Sequence, residues 1–375
     1  MNKKIDFSQI KRMLIVRLDE IGDVVLTTPF LRELRRNLPK AWITLVIKPE
    51  VYNLMELCPY VNEVLVFNYQ MRGRMQRIQI VGRIIKFAWK YLWWRRFDLA
   101  IVPRWGFDYY RASWLVYLSG ARWRVGFKQA IPKGYEPFFT HLVDEPRPKH
   151  WVQYSLDLLR WLGGTVRHDH LEVWCSDEDE AFAEMTLVRA GVSRQDVVVA
   201  ICPGAGAPKR VWPLHRFAEL GRWLQEEWGV WLLLIGGKDE RAIANELQER
   251  VGGKVINMVG KTTLRQTASL LRRCALFIGG DTGPMHIAAA VGVPVIELSC
   301  HPKSGAILHD NSPKHFAPWG VPHIVLQPAH PLPPCIDGCS ANEPHCILQI
   351  TVEEVKRATR EMLEYVSQRR RQAKR

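Results

Sequence analysis

A glycine-rich turn late in the chain has the residue types needed to bind an anion. The apolar residues 276–278 run into the sequence GGDTGPMH at residues 279–286. Proline is tolerated in the first turn of a helix, so this sequence predicts a turn that opens a helix, with Asp281 or Thr282 as its cap. Free backbone N–H groups at a helix start attract anions, and His286 would project beside them. A phosphate group fits this description, although an ordinary strand–turn–helix connection fits it as well.

A second strand–loop–helix sequence, near the N-terminus, carries a carboxylate. Residues 13–16 are apolar, residues 17–21 form a polar loop, and Gly22 and Asp23 begin a segment whose apolar residues recur at helical spacing. Ligands of open α/β sheets bind at the carboxyl edge of the strands, so Asp23 would face a ligand and could take a proton from it. The alternative is that Asp23 only satisfies the dipole at the start of its helix.

Both sequences require parallel sheets to position them. The chain has 375 residues and is 47% hydrophobic, enough for two domains of ordinary size. Strand-like runs alternate with helical patterns in both halves, which predicts an α/β fold with two doubly wound, Rossmann-like sheets facing each other across a cleft. The predicted strands span residues 13–17, 43–47, 63–67 and 99–102 in the first half, and 197–201, 230–235, 255–257, 276–278 and 295–296 in the second.

Four groups of motifs follow one another along the chain. They are LIVR at 14–17 with IGDVV at 21–25, PG at 203–204 with KRVWP at 209–213, GG at 236–237, and DTGPMH at 281–286. In this order they resemble glycosyltransferase family 9, the heptosyltransferases that build the inner core of bacterial lipopolysaccharide. The resemblance covers most of the chain and implies the GT-B arrangement of two Rossmann-like domains.

The resemblance also implies a mechanism. Asp23 matches the catalytic aspartate of the family, which acts as the general base of an inverting single displacement. A carboxylate at this position would also stabilise the positive charge of an oxocarbenium-like transition state. Asp19 and Glu20 lie in the same loop but do not occupy the carboxylate position of the motif.

Donor binding is expected in the loops of the second half. Lys209 and Arg210 correspond by resemblance to the basic residues of the family, and with the anion-binding turn they would neutralise the leaving diphosphate. Gly206 leaves only backbone N–H donors in the same loop. By resemblance, Glu240 would hold the ribose hydroxyls and Thr262 would belong to the loop that contacts the base. A solvated pair of cations and a helix-start acid are the plainer alternatives for these loops. The full donor-binding set is Gly206, Lys209, Arg210, Glu240, Thr262, Asp281, Thr282, Gly283 and His286.

Domain boundaries follow from composition and from the resemblance. Two glycines at 163–164 and a polar, acidic stretch after them indicate a joint. We expect an acceptor-binding domain at residues 1–165, a linker at 166–195, a nucleotide-sugar domain at 196–350, and a last helix with a basic tail at 351–375.

No cofactor is expected, and no metal at the catalytic centre. A basic cradle can neutralise the diphosphate by itself, and no D-x-D carboxylate pair accompanies the candidate donor loops. Three of the eight cysteines, Cys335, Cys339 and Cys346, cluster in one loop. Their spacing differs from the paired C-x-x-C of a zinc knuckle, and a fourth ligand would have to be His330, His345 or Cys300. We expect free thiols or an incidental disulfide there.

Positive charge is concentrated in one segment. The formal net charge is +14, and residues 71–97 contain eight Arg or Lys residues, no acid and five interleaved aromatic residues before Phe97. As a helix this segment would place an apolar face to one side, and basic, tryptophan-bearing helices often lie on anionic lipid. The alternative is a surface helix that closes the core of its domain. The apolar face consists of Ile80, Ile84, Ile85, Ala88 and Leu92.

Features that the sequence lacks argue against nucleic acid as a partner and against a membrane-spanning or secreted protein. No nucleic-acid-binding motif accompanies the charge, so nucleic acid is not expected as a partner. The sequence has no apolar run of membrane-spanning length and no secretory signal, which favours a cytoplasmic protein. We expect transfer of heptose from ADP-heptose to an anionic, lipid A-linked acceptor at the inner face of the inner membrane. The alternatives are another nucleotide sugar, a protein acceptor, or a non-catalytic protein that binds nucleotides or polyanions.

Overall fold

The structure, a computed structural model, describes residues 5–69, 76–105, 110–309 and 311–373. The chain divides into two α/β units between His170 and Leu171. Each unit is built on a six-stranded sheet in which all neighbouring strands are parallel.

The sheet of the first unit has the order β3-β2-β1-β4-β5-β6. Because β2 and β3 extend to one side of β1 and β4 to β6 to the other, the direction of winding reverses between β1 and β4. The strands are β1 (Arg12–Arg17), β2 (Trp42–Ile47), β3 (Glu63–Val66), β4 (Leu99–Ile101), β5 (Trp123–Phe127) and β6 (His141–Val143).

The sheet of the second unit repeats this topology in the order β12-β11-β10-β7-β8-β9. Here the winding reverses between β7 and β10. The strands are β7 (Val198–Cys202), β8 (Trp231–Leu234), β9 (Val255–Asn257), β10 (Leu276–Gly279), β11 (Val295–Leu298) and β12 (His323–Leu326).

Helices connect the strands, as parallel pairing requires. The first unit contains α1 (Ile21–Val25), α2 (Thr28–Asn37), α3 (Tyr52–Met55), α4 (Gln76–Tyr91), α5 (Arg111–Leu118) and α6 (Trp151–Trp161). The second contains α7 (Asp177–Ala190), α8 (Leu214–Trp228), α9 (Arg241–Val251), α10 (Leu264–Leu271), α11 (Gly283–Ala290), α12 (Pro313–Phe316) and α13 (Val352–Ala373).

The central strands are apolar because helices cover both of their faces. All five residues of β7 are buried, as are all four of β10, and such continuous burial is typical of parallel sheets. The last helix, α13, belongs to the same core, since Val355, Ala358 and Met362 pack in one cluster with strand residues of the second unit.

The predicted α/β fold with two doubly wound sheets is confirmed. Three strands escaped prediction: β5, β6 and β12. They lie at or next to the edges of the sheets, and β12 is half-exposed, so its apolar run is too short and too mixed to stand out.

The segment 166–195, which we expected to link two domains, is shared between the units. Its helix α7 packs against α10 of the second unit. Arg265 Nε lies 2.6 Å from Asp179 Oδ2, which fixes the first turn of α7 to the start of α10. Asp179 also forms the only D-x-D pair of the sequence with Asp177, and its carboxylate is engaged in this ion pair and in capping α7.

Within the basic segment, residues 76–91 form the helix α4, and the prediction of its buried face is mostly confirmed. Ile80, Ile84, Ala88 and Leu92 are buried, but Ile85 is 45% exposed, so its assignment to the buried face is wrong. The arginines at 72 and 74 lie outside the described residues. In the part of the chain that the structure describes, no helix has the length and apolar character needed to cross a membrane.

Candidate active site

The reversal of strand order in each sheet marks where a ligand would bind. Adjacent strands at a reversal send their connections to opposite faces, which opens a crevice at the carboxyl edge. In the second unit the loops at this point follow β7 (residues 203–210) and β10 (residues 280–282). They carry most of the donor-binding residues predicted from the sequence.

Arg210 and Asp281 connect these two loops. Arg210 Nη1 lies 3.9 Å from Asp281 Oδ2, and Asp281 Oδ1 lies 3.2 Å from His286 Nε2. Arg210 also donates a hydrogen bond to the side-chain oxygen of Asn311. The structure therefore brings Arg210, Asp281 and His286 together, as predicted, and adds Asn311, which sequence reasoning missed.

The turn before α11 differs from its predicted capping. Thr282 is the N-cap residue but makes no side-chain cap hydrogen bond; its hydroxyl donates instead to Gly280 O at 3.3 Å. Asp281 interacts with Arg210 and His286. Pro284 has no N–H group, and the N–H groups of Met285 and His286 donate to Thr282 O, so Gly283 provides the N–H that the first turn of α11 offers to an anion.

Lys209 has a different partner from Arg210. Its Nζ donates to the backbone oxygen of Cys339 at 2.9 Å, which ties the loop after β7 to a loop 130 residues further along the chain. The two cations predicted to act as a pair therefore leave the loop in different directions, with Arg210 beside Asp281.

Glu240 lies between the loops that follow β7 and β8. Its Oε2 accepts a hydrogen bond from Gly237 N at 2.7 Å. A Cβ atom at Gly204 or at Gly236 would overlap the Glu240 carboxylate, so a side chain at either position would displace this carboxylate from its place between the loops. Burial raises the pKa of Glu240, the bond from Gly237 lowers it, and the charge of Asp239 raises it further, with a net upward shift.

Of the other two residues predicted to bind the donor, Thr262 lies in a hydrogen-bonded turn and Gly206 borders open space. The Thr262 hydroxyl lies 2.8 Å from that of Thr267, within the turn that opens α10. An added Cβ at Gly206 would meet nothing within 4 Å, so the backbone of this loop position faces open space.

Glu297, which the sequence analysis did not single out, is buried in β11 with 1% of its surface exposed. Burial, and then the charge of Asp281, raise its pKa well above the usual range, while Ser299 and Arg210 act in the opposite direction. Its Oε2 has no hydrogen-bond partner among the described residues. The sequence signal was a single charged residue in the apolar run VIEL at 295–298.

A cavity of 240 Å³ occupies the corresponding position in the first unit. Its walls come from the loop after β1 and the loop after β4, which flank the reversal of strand order. Asp23, the predicted base, lines this cavity. The lining residues are Val16, Leu18, Asp19, Glu20, Asp23, Tyr69, Val102, Arg104, Arg111 and Ala112.

Asp23 is held at the start of α1. Its Oδ2 accepts a hydrogen bond from Glu20 N at 3.2 Å, and its Oδ1 lies 3.7 Å from Nη2 of the buried Arg17. Arg17 Nη2 also donates to the backbone oxygen of Asp23 at 3.2 Å. These contacts fix the carboxylate, and 17% of the Asp23 side chain remains exposed toward solvent.

Asp19 is the nearest rival, and its contacts indicate a structural role. It bridges two guanidinium groups: Arg17 Nη1 lies 3.0 Å from Asp19 Oδ2, and Arg104 pairs with Asp19 Oδ1. Only 5% of the Asp19 side chain is exposed. Both oxygens of this buried carboxylate are engaged by guanidinium groups, so they are not available to an acceptor hydroxyl. The geometry therefore favours Asp23 over Asp19.

Two cations of this cavity were not predicted. Arg104 follows β4, and Arg111 opens α5 with its guanidinium 4.2 Å from the centre of the Tyr69 ring. Arg104 could have been found from the sequence, because it comes directly after a predicted strand and so at the same sheet edge as Asp23.

Comparison with known proteins gives a consistent result. The family model described as glycosyltransferase family 9 (heptosyltransferase) matches residues 87–330. Lipopolysaccharide heptosyltransferase 3 of Escherichia coli (strain K12) is 28% identical over 282 residues, which are 74% of this chain and 79% of that protein.

Solved structures show the same fold. The crystal structure of the glycosyl transferase family 9 from Veillonella parvula DSM 2008 aligns with a TM-score of 0.78 at 24% identity, over 97% of this chain and 100% of that chain. The E. coli ADP-heptose lps heptosyltransferase II aligns with a TM-score of 0.71 at 19% identity, over 94% of this chain and 99% of that chain. The likeness in fold extends over both units.

Glycine substitutions test the packing of the Glu240 carboxylate. We expect Gly204→Ala to lower the free energy of unfolding by about 1–3 kcal/mol, because the new methyl group overlaps this carboxylate. Gly206→Ala, two residues away in open space, should change it by less than about 0.5 kcal/mol. Chemical denaturation of both variants measures the difference. Equal stability of the two would contradict a rigidly held Glu240 carboxylate.

Proposed function

The chain belongs to glycosyltransferase family 9, and we propose that it transfers a heptose from ADP-heptose to an anionic, lipid A-linked acceptor of the lipopolysaccharide inner core. The lipopolysaccharide heptosyltransferases among its relatives support the sugar and the acceptor, and the solved E. coli enzyme named for ADP-heptose supports the donor. The observation that carries the proposal is the position of Asp23, a fixed and partly exposed carboxylate in a cavity at the reversal point of the first sheet.

We assign the role of general base to Asp23. The acceptor hydroxyl oxygen attacks the anomeric carbon of the heptose, the bond from that carbon to the diphosphate breaks, and Asp23 receives the hydroxyl proton. One displacement inverts the anomeric centre. Arg104 and Arg111 line the same cavity, so their positive charge complements an anionic saccharide.

Arg210 and the start of α11 are the proposed site for the diphosphate. Arg210 is 30% exposed in its side chain, and its 3.9 Å separation from Asp281 is long for an ion pair. A diphosphate oxygen could therefore take up the guanidinium N–H groups more closely than Asp281 does. Lys209 and the positive end of the α11 dipole, with the N–H of Gly283, add positive potential, and with them the leaving group needs no metal ion.

Glu240 and Thr262 are proposed to bind the nucleoside. Glu240 lies in the loop after β8, next to the loop that carries Arg210, and its carboxylate can accept hydrogen bonds from the two ribose hydroxyls. Thr262 follows β9, the next strand in the sheet. Arg210, Glu240 and Thr262 thus follow the neighbouring strands β7, β8 and β9, in the same order as the phosphate, ribose and base of a nucleotide.

The helix α4 is proposed to attach the protein to an anionic membrane surface. Beside its buried face, α4 and the turn after it expose an apolar stripe at four-residue spacing. Lys86 and Lys90, which are also exposed, lie beside this stripe. Exposed tryptophans flanked by cations suit the interface of a bilayer that carries acidic lipid. The stripe consists of Val81, Ile85, Trp89 and Trp93, with 39%, 45%, 55% and 44% of their surfaces exposed.

This attachment agrees with a lipid-linked acceptor. An enzyme held at the surface meets such an acceptor without extracting it from the bilayer. The cytoplasmic location expected from the sequence remains a prediction.

The role of Asp23 is tested by Asp23→Asn. The amide keeps an oxygen that can accept the bond from Glu20 N but takes up no proton, so turnover should fall by about two to four orders of magnitude while donor affinity stays within a few-fold. Steady-state transfer and calorimetric titration of donor measure both. Glu20→Gln, which changes the neighbouring carboxylate, should reduce turnover far less than Asp23→Asn does. Near-normal turnover of Asp23→Asn would contradict the assignment of Asp23 as the general base. If the native protein binds the nucleotide sugar but transfers no sugar, the alternative of a non-catalytic binding protein would be favoured.

The diphosphate site is tested through ADP affinity. A charge-assisted hydrogen bond is worth about 1.5–3 kcal/mol, so Arg210→Ala should weaken ADP binding roughly ten- to hundred-fold, and Lys209→Ala should weaken it too. Arg250→Ala, which removes an exposed arginine of α9, is the matched control. Transfer should continue in EDTA. Unchanged ADP affinity in the Lys209/Arg210 double variant would show that this loop does not meet the phosphates.

Membrane attachment is tested with the exposed stripe. The double variant Ile85→Gln/Trp89→Gln should bind vesicles containing acidic lipid much more weakly, and native binding should decrease as salt rises because each surface cation contributes about 1 kcal/mol. Trp161→Gln is the matched control, since Trp161 of α6 is exposed to 46%. Transfer to a lipid-embedded acceptor should slow, and transfer to a delipidated acceptor should not. Vesicle binding that survives the double variant would refute the proposal.

A further inference from the structure

Four potential metal ligands converge in the loop before α13. Cys335, Cys339, His345 and Cys346 place three sulfur atoms and one ring nitrogen within 4.8 Å of one another. The three cysteines are buried, and His345 is half-buried. The three cysteines are free thiols and form no disulfide.

The distances in this cluster match the edges of a metal tetrahedron. With Zn–S bonds of about 2.3 Å and a Zn–N bond of about 2.0–2.1 Å, tetrahedral geometry separates sulfur from nitrogen by about 3.6 Å and sulfur from sulfur by about 3.8 Å. His345 Nδ1 lies 3.6 Å from Cys335 Sγ and 3.4 Å from Cys346 Sγ. The ligand atoms lie within 4.8 Å of one another, so a movement of about 1 Å toward the centre would bring the widest pair to the sulfur–sulfur distance of the tetrahedron.

We propose that Cys335, Cys339, His345 and Cys346 bind one structural Zn²⁺ ion. Three thiolates and one imidazole are a ligand set that selects zinc over magnesium or calcium, and four protein ligands leave no position open for catalysis. This role is separate from the proposed transfer reaction, which needs no metal in its own site.

Backbone donors already surround the sulfur atoms. Leu332 N lies 3.4 Å from Cys346 Sγ, and Ser340 N lies 3.3 Å from Cys335 Sγ. The Ser340 hydroxyl lies 3.7 Å from the same Cys335 sulfur. Metal-bound thiolates keep negative charge, and N–H groups directed at them form the usual second layer of such sites.

The loop has little apolar packing of its own. Residues 327–345 contain no helix or strand. The apolar cluster of this loop consists of Cys335, Cys339, Leu332 and Ala341 together with Cys346, which follows the loop directly. A long loop without secondary structure inside a compact unit needs another source of order. A metal ion supplies it, because binding energy at a structural site is folding energy.

The ion would also fix one of the proposed diphosphate ligands. Cys339 O accepts the hydrogen bond from Lys209 Nζ at 2.9 Å. A metal bound to the Cys339 sulfur would hold that carbonyl in place, and Lys209 with it. This consequence, unlike the site itself, rests on the proposed function.

The structure also decides which residue is the fourth ligand. From the sequence, His330, His345 and Cys300 were all possible, and we expected no metal because the spacing is irregular. Of these three candidates, all of which lie in the described part of the chain, His345 alone joins the three sulfurs in the cluster. Its position directly before Cys346 in the sequence explains why no spacing rule identified it.

The test begins with the native protein, purified without an affinity tag and dialysed against a weak chelator. Elemental analysis should find about one zinc per chain. Replacement by Co²⁺ should give the visible absorption of a tetrahedral thiolate complex. Removal of the metal with a strong chelator should lower the unfolding temperature, and Zn²⁺ should restore it where Mg²⁺ does not.

Variants locate the ligands. Cys339→Ser and His345→Ala should each lose the bound zinc and the cobalt spectrum. Cys300→Ser is the matched control, because Cys300 is buried nearby but outside the cluster, and it should keep both. If a ligand variant fails to fold, the metal content and spectrum of the native protein still decide the question.

Several results would overturn the proposal. These are native protein without a firmly bound metal, a disulfide among the three cysteines revealed by thiol counting under non-reducing conditions, or loss of zinc in Cys300→Ser. Iron in place of zinc would overturn the assignment of the metal. None of these measurements depends on transfer activity, so they are distinct from a failure of the proposed function. In the metal-free protein, weaker ADP binding with an intact fold would support the link through Lys209.

Discussion

The reversal of strand order at the carboxyl edge of each sheet is the constraint on which the candidate active site depends. In both units the first strand is central, and later strands are added on one side and then on the other. Helices after the two strands at the reversal cover opposite faces, so their loops separate and leave space at the edge. Asp23 and Arg104 flank this point in the first unit, and Arg210 and Asp281 flank it in the second.

The charged side chains at this edge of each sheet form ion pairs and hydrogen bonds with neighbouring residues. In the first unit Asp19 is buried between Arg17 and Arg104 and pairs with both, whereas Asp23, the carboxylate of the motif, lies in the cavity with part of its surface exposed. In the second unit Arg210 lies between Asp281 and Asn311. Partial compensation keeps these side chains ordered, and the remaining capacity for hydrogen bonds is available to an anionic ligand.

Irregular loops of the second unit are stabilised differently from its sheet. The strands are held by continuous apolar burial, whereas the loop at 327–345 has only a small apolar cluster of its own. Its links to the rest of the unit are polar, such as the bond from Lys209 to Cys339 O. A proposed metal ion in this loop would therefore stabilise a functional loop that apolar packing does not.

The sequence by itself determined the fold class, the central strands and the position of the four groups of motifs at the ends of strands. Alternation of apolar runs with helical periods is local information, and it is enough to indicate parallel sheets and their carboxyl edges. The same patterns placed Asp23 and the turn at Asp281 at the ends of strands. Edge strands such as β12 were lost, because half-exposed strands of four residues have no distinct period.

Only the tertiary structure decided which partner each of these residues has. Arg210 and Asn311 are 101 residues apart, and Lys209 and Cys339 are 130 apart. Such contacts depend on strand order and on the paths of loops, which no local pattern contains. The exposure of Ile85 was likewise set by the neighbours of α4 and not by its helical period. A sequence specifies which groups reach an edge of the sheet, but the distances between them arise from how the whole unit packs.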